Sequence, residues 1–202
     1  MNDRPEINQK MSESVELANW IADQLDGLQV STTGKDHFAA ACFHVALGHH
    51  VSIARLIESD QPASALALLR PQAEAYLRGI WLHHFATGEA AASFINGKDL
   101  KASQAIKDME SVEGFDDTLQ KIKAQIWSDL CDFTHCGGKT IRSHFTEGEL
   151  RANFATPYLI DAMTSADAWA LTTAHSYAIL SRRIDLAVVF LERASLLKKA
   201  TR

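Results

Sequence analysis

Ala65-Leu-Ala-Leu-Leu-Arg70-Pro-Gln-Ala-Glu74-Ala-Tyr-Leu-Arg78-Gly-Ile-Trp81-Leu-His83-His84 decides how this chain folds. The stretch reads as a helix that is apolar nearly all round, yet it carries two arginines, a glutamate and two histidines. Such a helix is buried, and charge inside a protein is costly unless it is paired. At about 100° per residue, Glu74 lies about 40° round from Arg70, Arg78 about 80°, Trp81 about 20° and His84 about 40° the other way. These side chains define one polar and aromatic stripe. Arg70 and Glu74 pair at i, i+4, and Glu74 with Arg78 is the better-oriented version of that pair. The stripe has two readings. Either it is an ion-pair ladder that neutralises itself and fixes helix packing, or its guanidinium forks face a pocket and bind phosphate or carboxylate.

Helical periodicity extends in both directions from this segment. A first helix is predicted from Ser12 or Ser14 to about Leu28, where Val15, Ala18, Ile21, Ala22 and Leu25 repeat at helical spacing. A second runs from Lys35 to about Glu58. Asp60 and Pro62 open the third, with a kink or restart expected near Arg70 because Pro71 lacks a backbone donor. Thr87-Gly88 ends it. A fourth runs from Glu89 to about Glu110 with an interruption at Asn96-Gly97. A fifth starts at Phe115 or Asp116 and reaches His135, with Leu119, Ile122, Ile126, Leu130 and Phe133 on one face. Gly137-Gly138 stops it. The segment from Lys139 to Thr156 is read as holding a short helix around Thr146 to Phe154. The last helical region starts at Pro157, with a break marked near Thr164-Ser165, and ends at about Lys198. Its centre, Ile184 to Leu191, is apolar on several faces, which points to deep burial or a dimer contact. No strand-like alternation or repeat is present.

The 202 residues suit one domain, and 47% hydrophobic composition supplies a core. A net charge of −5 with dispersed basic residues argues against a broad nucleic-acid footprint. No secretory signal and no membrane span are read from the apolar runs. Cys42, Cys131 and Cys136 form no CxxC pair and read as free thiols, so a cytoplasmic location is expected.

Two further groups carry potential chemistry. Asp129, Asp132 and His135 share a helix face just before Gly137-Gly138. They form either a solvated face with a glycine stop or a helix end that brings His135 into a cleft with Arg70, Glu74 and Arg78, where the glycine turn would help bind an anion. In the second helix, His37, His44, His49 and His50 read as packing histidines. A metal reading would converge His44 or His49 with His135 and His175, but no HExxH, HxxxH or ExxH pair supports it. No metal and no cofactor are expected.

Arg78-Gly-Ile-Trp-Leu-His83 separates an arginine and a histidine by four residues, or by five counting to His84. In this it resembles the HEPN superfamily of small all-helical prokaryotic domains. Many of these are metal-independent endoribonucleases of toxin–antitoxin and phage-defence systems that dimerise to build the site. The resemblance implies Arg78 as the phosphate and transition-state stabiliser. It implies His83, or His84, as general acid/base on RNA. Arg78 and His83 lie about 140° apart on an ideal helix, so convergence needs a helix end, a bend or a second subunit. The pattern Leu69-Arg70-Pro71…Glu74…Arg78-Gly-Ile-Trp81-Leu with Phe133-Thr-His135-Cys-Gly137-Gly138 also resembles uncharacterised bacterial helical families of unknown function, over roughly Ala63 to Gly138.

The expectation is an all-α, up-and-down bundle of five to seven helices in one domain over residues 1–202, with 1–10 a flexible N-terminus. Arg78 and His83 are the candidate catalytic pair, and Arg70, Glu74, Trp81, His84 and His135 the candidate binding residues. The resemblance implies a HEPN-like protein of a bacterial defence or toxin system, an RNA-cleaving enzyme or a degenerate, non-cleaving relative. A homodimer is expected, with RNA as substrate or an antitoxin as partner and no membrane. The rival reading is a non-enzymatic module that binds an anionic small molecule or a protein partner.

Overall fold

The computed structural model describes residues 5–98, 100–111, 118–146 and 148–200. Among these the chain is all-α. Its helices are α1 (Pro5–Leu25), α2 (Gly34–Glu58), α3 (Pro62–His84), α4 (Gly88–Ile95), α5 (Ala102–Glu110), α6 (Thr118–Thr134), α7 (Gly138–Arg142), α8 (Thr156–Leu180) and α9 (Ile184–Ala200). One antiparallel hairpin, β1 (Phe145–Thr146) with β2 (Glu149–Leu150), pairs Phe145 with Leu150.

The helix α2 is the hub. It lies along α3 over much of its length and also packs on α8 and α1. Its composition and length would suit a membrane span, with mean hydropathy 1.2 over its most apolar window. Inside the fold that apolarity is spent on helix packing: Phe43, Ala39, Ala46, Ile53 and Ala54 are buried. The α2 and α3 axes run antiparallel, since Lys35 and Asp36 at the start of α2 meet Ala86 and His83 at the end of α3. Three apolar clusters fill the interior. One joins Ile53, Leu66, Leu130, Phe133 and Met163, another Phe43, Leu77, Trp81 and Met109, and a third Leu17, Ile21, Leu171 and Phe190. Close approach of α2 and α3 depends on Gly79, where a Cβ would lie 2.6 Å from a carbon of the Phe43 ring.

Several boundaries differ from the periodicity reading, each for a local reason. The first helix starts at Pro5 rather than Ser12 or Ser14, so the tail expected to be flexible through residue 10 is helical from Pro5. Ile7 is buried, and Lys10 bonds to Asp167 on α8. Residues 1–4 of that tail lie outside the described residues. The helix α3 runs through Pro71 without a restart. Pro71 leaves the Ala67 carbonyl without its helical donor, and the Thr134 hydroxyl, already donating to the Leu130 carbonyl at 2.8 Å, lies 3.4 Å from it. Asp60 closes α2 instead of opening α3. It adopts φ 57° and the Gln61 N–H donates to the Leu56 carbonyl, a Schellman ending. Thr87 caps α4, accepting from the Ala90 N–H, rather than ending α3.

Among the described residues no helix forms around Thr146 to Phe154; the hairpin takes that place, with a short α7 before it. The last helical region is unbroken at Thr164-Ser165 and divides instead at Arg182, with φ 59°. The start expected at Phe115 or Asp116 and the side chains of Leu119 and Ile122 lie outside the described residues, while Leu130 and Phe133 of that face are buried. The apolar centre of α9 is buried on one side through Leu186, Ala187 and Phe190 and exposed on the other through Ile184, Val188 and Leu191.

Candidate functional site

Burial singles out one stripe on α3. Leu66, Leu69, Gln72, Ala73, Leu77 and Leu82 point inward, while Arg70, Glu74 and Arg78 reach the surface of a cleft of about 350 Å³. Val45 and His49 of α2 form one wall, and Thr134 and His135 at the end of α6 form the other.

Arg70 is the most heavily engaged side chain. Its Nε donates to Glu74 Oε1 at 2.8 Å, and one terminal nitrogen donates to Cys131 Sγ at 3.3 Å and to His135 Nε2 at 3.0 Å. Its guanidinium carbon also sits 5.5 Å from the centre of the Trp127 ring. A guanidinium can only donate, so His135 Nε2 is the acceptor and the neutral ring carries its proton on Nδ1. Arg78 holds the other oxygen of Glu74 at 3.0 Å. One carboxylate therefore bridges two guanidiniums. Arg78 also pulls on the Cys42 thiol, but burial dominates and pushes that thiol up. Burial pulls the His49 imidazole down, favouring its neutral form.

His83 does not join this cleft. Its Nδ1 lies 2.8 Å from Asp36 in the first turn of α2. There it serves the junction of the two helix ends, where Lys35 also donates to the Ala86 carbonyl. His84 stacks edge-on against His83 with ring centres 4.3 Å apart. Burial lowers its pKa, helped by the charges of His83 and Lys35 and opposed by Asp36. Trp81 is buried and donates its indole N–H to Asp108 of α5 at 2.7 Å. Wheel angle put Trp81 and His84 on the arginine stripe. Axial rise takes them elsewhere: at about 1.5 Å per residue, Trp81 lies about 16 Å along the helix from Arg70. The structure thus brings together Arg70, Glu74, Arg78 and His135, and sends His83, His84 and Trp81 to other neighbours.

The turn after α6 is built by Asp132. Its Oδ1 accepts the Thr140 N–H at 2.8 Å and its Oδ2 the Lys139 N–H at 3.1 Å, capping α7 where Gly137 has no side chain to do so. Desolvation alone would raise this carboxyl, but the hydrogen bonds from Thr140 and Lys139, with the Lys139 charge, hold it below the usual range. Those amides are therefore occupied by Asp132 rather than offered to a ligand. Cys136, at φ 51°, supplies the left-handed residue of the turn. Gly137 is needed for space, since a Cβ there would lie 2.5 Å from the Asp132 carboxyl carbon. Lys139 pairs with Asp129.

The sequence reading missed a second polar group. Asp167 of α8, almost wholly buried, accepts from His50 Nε2 at 2.7 Å, Lys10 Nζ at 2.7 Å and Ser14 Oγ at 2.9 Å. The signal was present: Asp167 is a lone charge in the small and apolar run Met163-Thr-Ser-Ala-Asp-Ala-Trp-Ala-Leu171, the same anomaly that marks α3. His175 donates its Nδ1–H to the Ala187 carbonyl at 2.9 Å and so ties α8 to α9. Among the described residues no three His, Cys, Asp or Glu side chains group so as to hold a metal ion.

No curated protein and no solved structure matches this sequence. Residues 43–194, which include α3, the cleft and Asp167, match the description "Family of unknown function (DUF6988)", and the chain belongs to that family.

Proposed function

We propose that this chain is a non-enzymatic helical module that binds a small oxyanion-bearing molecule, a carboxylate or phosphate ester, in the cleft of α2, α3 and α6. The observation that carries the reading is a charge imbalance. Arg70 and Arg78 share the single carboxylate of Glu74, which among the described residues is the one acidic residue lining the cleft. The group keeps one positive charge uncompensated. Arg78 commits one nitrogen to Glu74, so much of its planar fork is available for bidentate contact with an anion. Arg70, clamped by Glu74, Cys131 and His135, serves as the fixed half of the site. The Thr134 hydroxyl and the His135 ring complete a polar rim against Val45 and Ala75.

Titration with benzoate and with inorganic phosphate at constant ionic strength tests this, read as the shift in Tm. The wild type is expected to be stabilised by at least one of the anions and Arg78→Gln by neither. Equal shifts in both proteins, or none in either, reject the reading. Native mass spectrometry of gently purified protein adds a direct search for a retained ligand.

A second reading is a HEPN-like RNA-cleaving homodimer of a bacterial defence or toxin system. It is favoured by His135 lying 3.0 Å from Arg70 in the cleft that Arg78 also lines, an acid/base group beside phosphate-binding forks. His83 enters that chemistry only through a second copy of the chain. Wild type, Arg78→Ala, His83→Ala and His135→Ala assayed on total RNA separate the cases. Equal cleavage in all four, or none, removes the enzyme reading.

A further inference from the structure

We propose that the groove between α1, α2 and α8, on the far side of α2 from the arginine cleft, binds a small neutral amphipathic molecule: an aromatic or hydrocarbon body with one O–H donor, an alcohol or phenol, directed at His50. The groove has a volume of about 340 Å³ and is walled mainly by apolar side chains such as Ile21, Leu25, Leu47 and Val51. That size is at the low end of ordinary small-molecule sites, which run from about 300 to 1,000 Å³.

Two independent features point to an occupant. The first is His50, 2% exposed and lining the groove. Its Nε2 meets Asp167 Oδ1 at 2.7 Å. A carboxylate only accepts, so Nε2 carries a proton, and in the neutral ring Nδ1 is left as an acceptor. Nδ1 has no partner among the described residues. The groove is the space that His50 lines. Buried acceptors are normally satisfied, and a ligand O–H supplies what the protein does not. The Asp167–His50 pairing also holds the ring in one orientation, while Lys10 balances the carboxylate.

The second feature is Gly48. It sits mid-helix, where glycine is unfavourable, and packing does not demand it: a Cβ at this position would meet nothing within 4 Å. Unlike Gly79, it has no neighbour to spare. It lines the groove, and a longer side chain there would extend into open space beside it.

The probes are 1-naphthol and 1-methoxynaphthalene, which share a body but differ in the donor, titrated against the whole chain by calorimetry. The wild type is expected to bind 1-naphthol about tenfold more tightly, the usual worth of one buried hydrogen bond. His50→Phe should bring the ratio to about one. Gly48→Leu should weaken both probes about tenfold or more by filling the groove. It leaves the Asp167 cluster intact, so it decides the question if His50→Phe does not fold. Arg78→Gln should leave 1-naphthol binding unchanged, since the probe is uncharged. No saturable binding to the wild type, equal affinity for the two probes, or wild-type affinity in Gly48→Leu overturns the proposal.

Discussion

Glu74 and Asp167 each hold two basic side chains, but they do so in different settings. Glu74 joins Arg70 and Arg78 along one helix, with side-chain exposures of 16%, 23% and 25%. Asp167 joins Lys10 and His50 across three helices, with exposures of 2%, 11% and 2%. The first group borders a cleft with positive charge to spare. The second is closed around its carboxylate, with a serine hydroxyl added. The difference is one of exposure: the ladder lies where the proposed anion would reach it, whereas the Asp167 carboxylate is enclosed and ties α1, α2 and α8 together.

The sharpest way to break this comparison is Asp167→Ala. It strips the counter-charge from Lys10 and the acceptor from His50 and Ser14, and is expected to cost about 3–5 kcal/mol in urea unfolding. A loss under about 1 kcal/mol, the range of an exposed pair, would put both carboxylates in the same class. Gly79→Ala comes next, at about 1–3 kcal/mol from overpacking, because Phe43 is fully buried and has nowhere to move. Glu74→Gln should cost about 1–2 kcal/mol, the lower part of the range for hydrogen bonds to charged groups because the ladder is partly exposed. Part of that loss should disappear in 0.5 M salt at about the Debye screening expected of a half-open site, while the Asp167→Ala loss should not.

Gly48→Ala should stabilise the protein by about 0.5–1 kcal/mol, the opposite sign to Gly79→Ala. Matching signs would mean that both glycines face packed surroundings.

The smallest effect extends the comparison to a third carboxylate. Asp132 is held below the ordinary aspartate range in the folded protein. Its contribution is therefore complete above the unfolded value, about pH 4, and is lost as pH falls through the lower folded value. Amide shifts of Lys139 and Thr140 should move in that acid window, and Asp132→Asn should abolish the transition. A transition at higher pH would contradict the capping role.

How far the site could be read from sequence follows the same division. Arg70–Glu74–Arg78 was legible because i, i+4 spacing on a helix implies contact wherever the helix lies. Trp81 and His84 were misassigned to that stripe because angle was read without axial distance. His83 lies at a junction of helix ends, and only the antiparallel docking of α2 on α3 brings Asp36 to it. Gly137-Gly138 reads in the sequence as the stop of the fifth helix, and nothing in that reading anticipates α7 or the aspartate of the preceding helix that caps it.

Local periodicity and the cost of burying charge were sufficient to establish an all-helical chain, its central α3 and the Arg70–Glu74–Arg78 ladder, because those relations involve residues within a turn or two of one another. The grouping of Lys10 and His50 on Asp167, separated by 157 and 117 positions, and the pairing of Arg70 with His135, 65 positions away, were decided only when the helices packed. Side-chain contact across elements depends on rotation, depth and crossing, and no spacing along a chain encodes those.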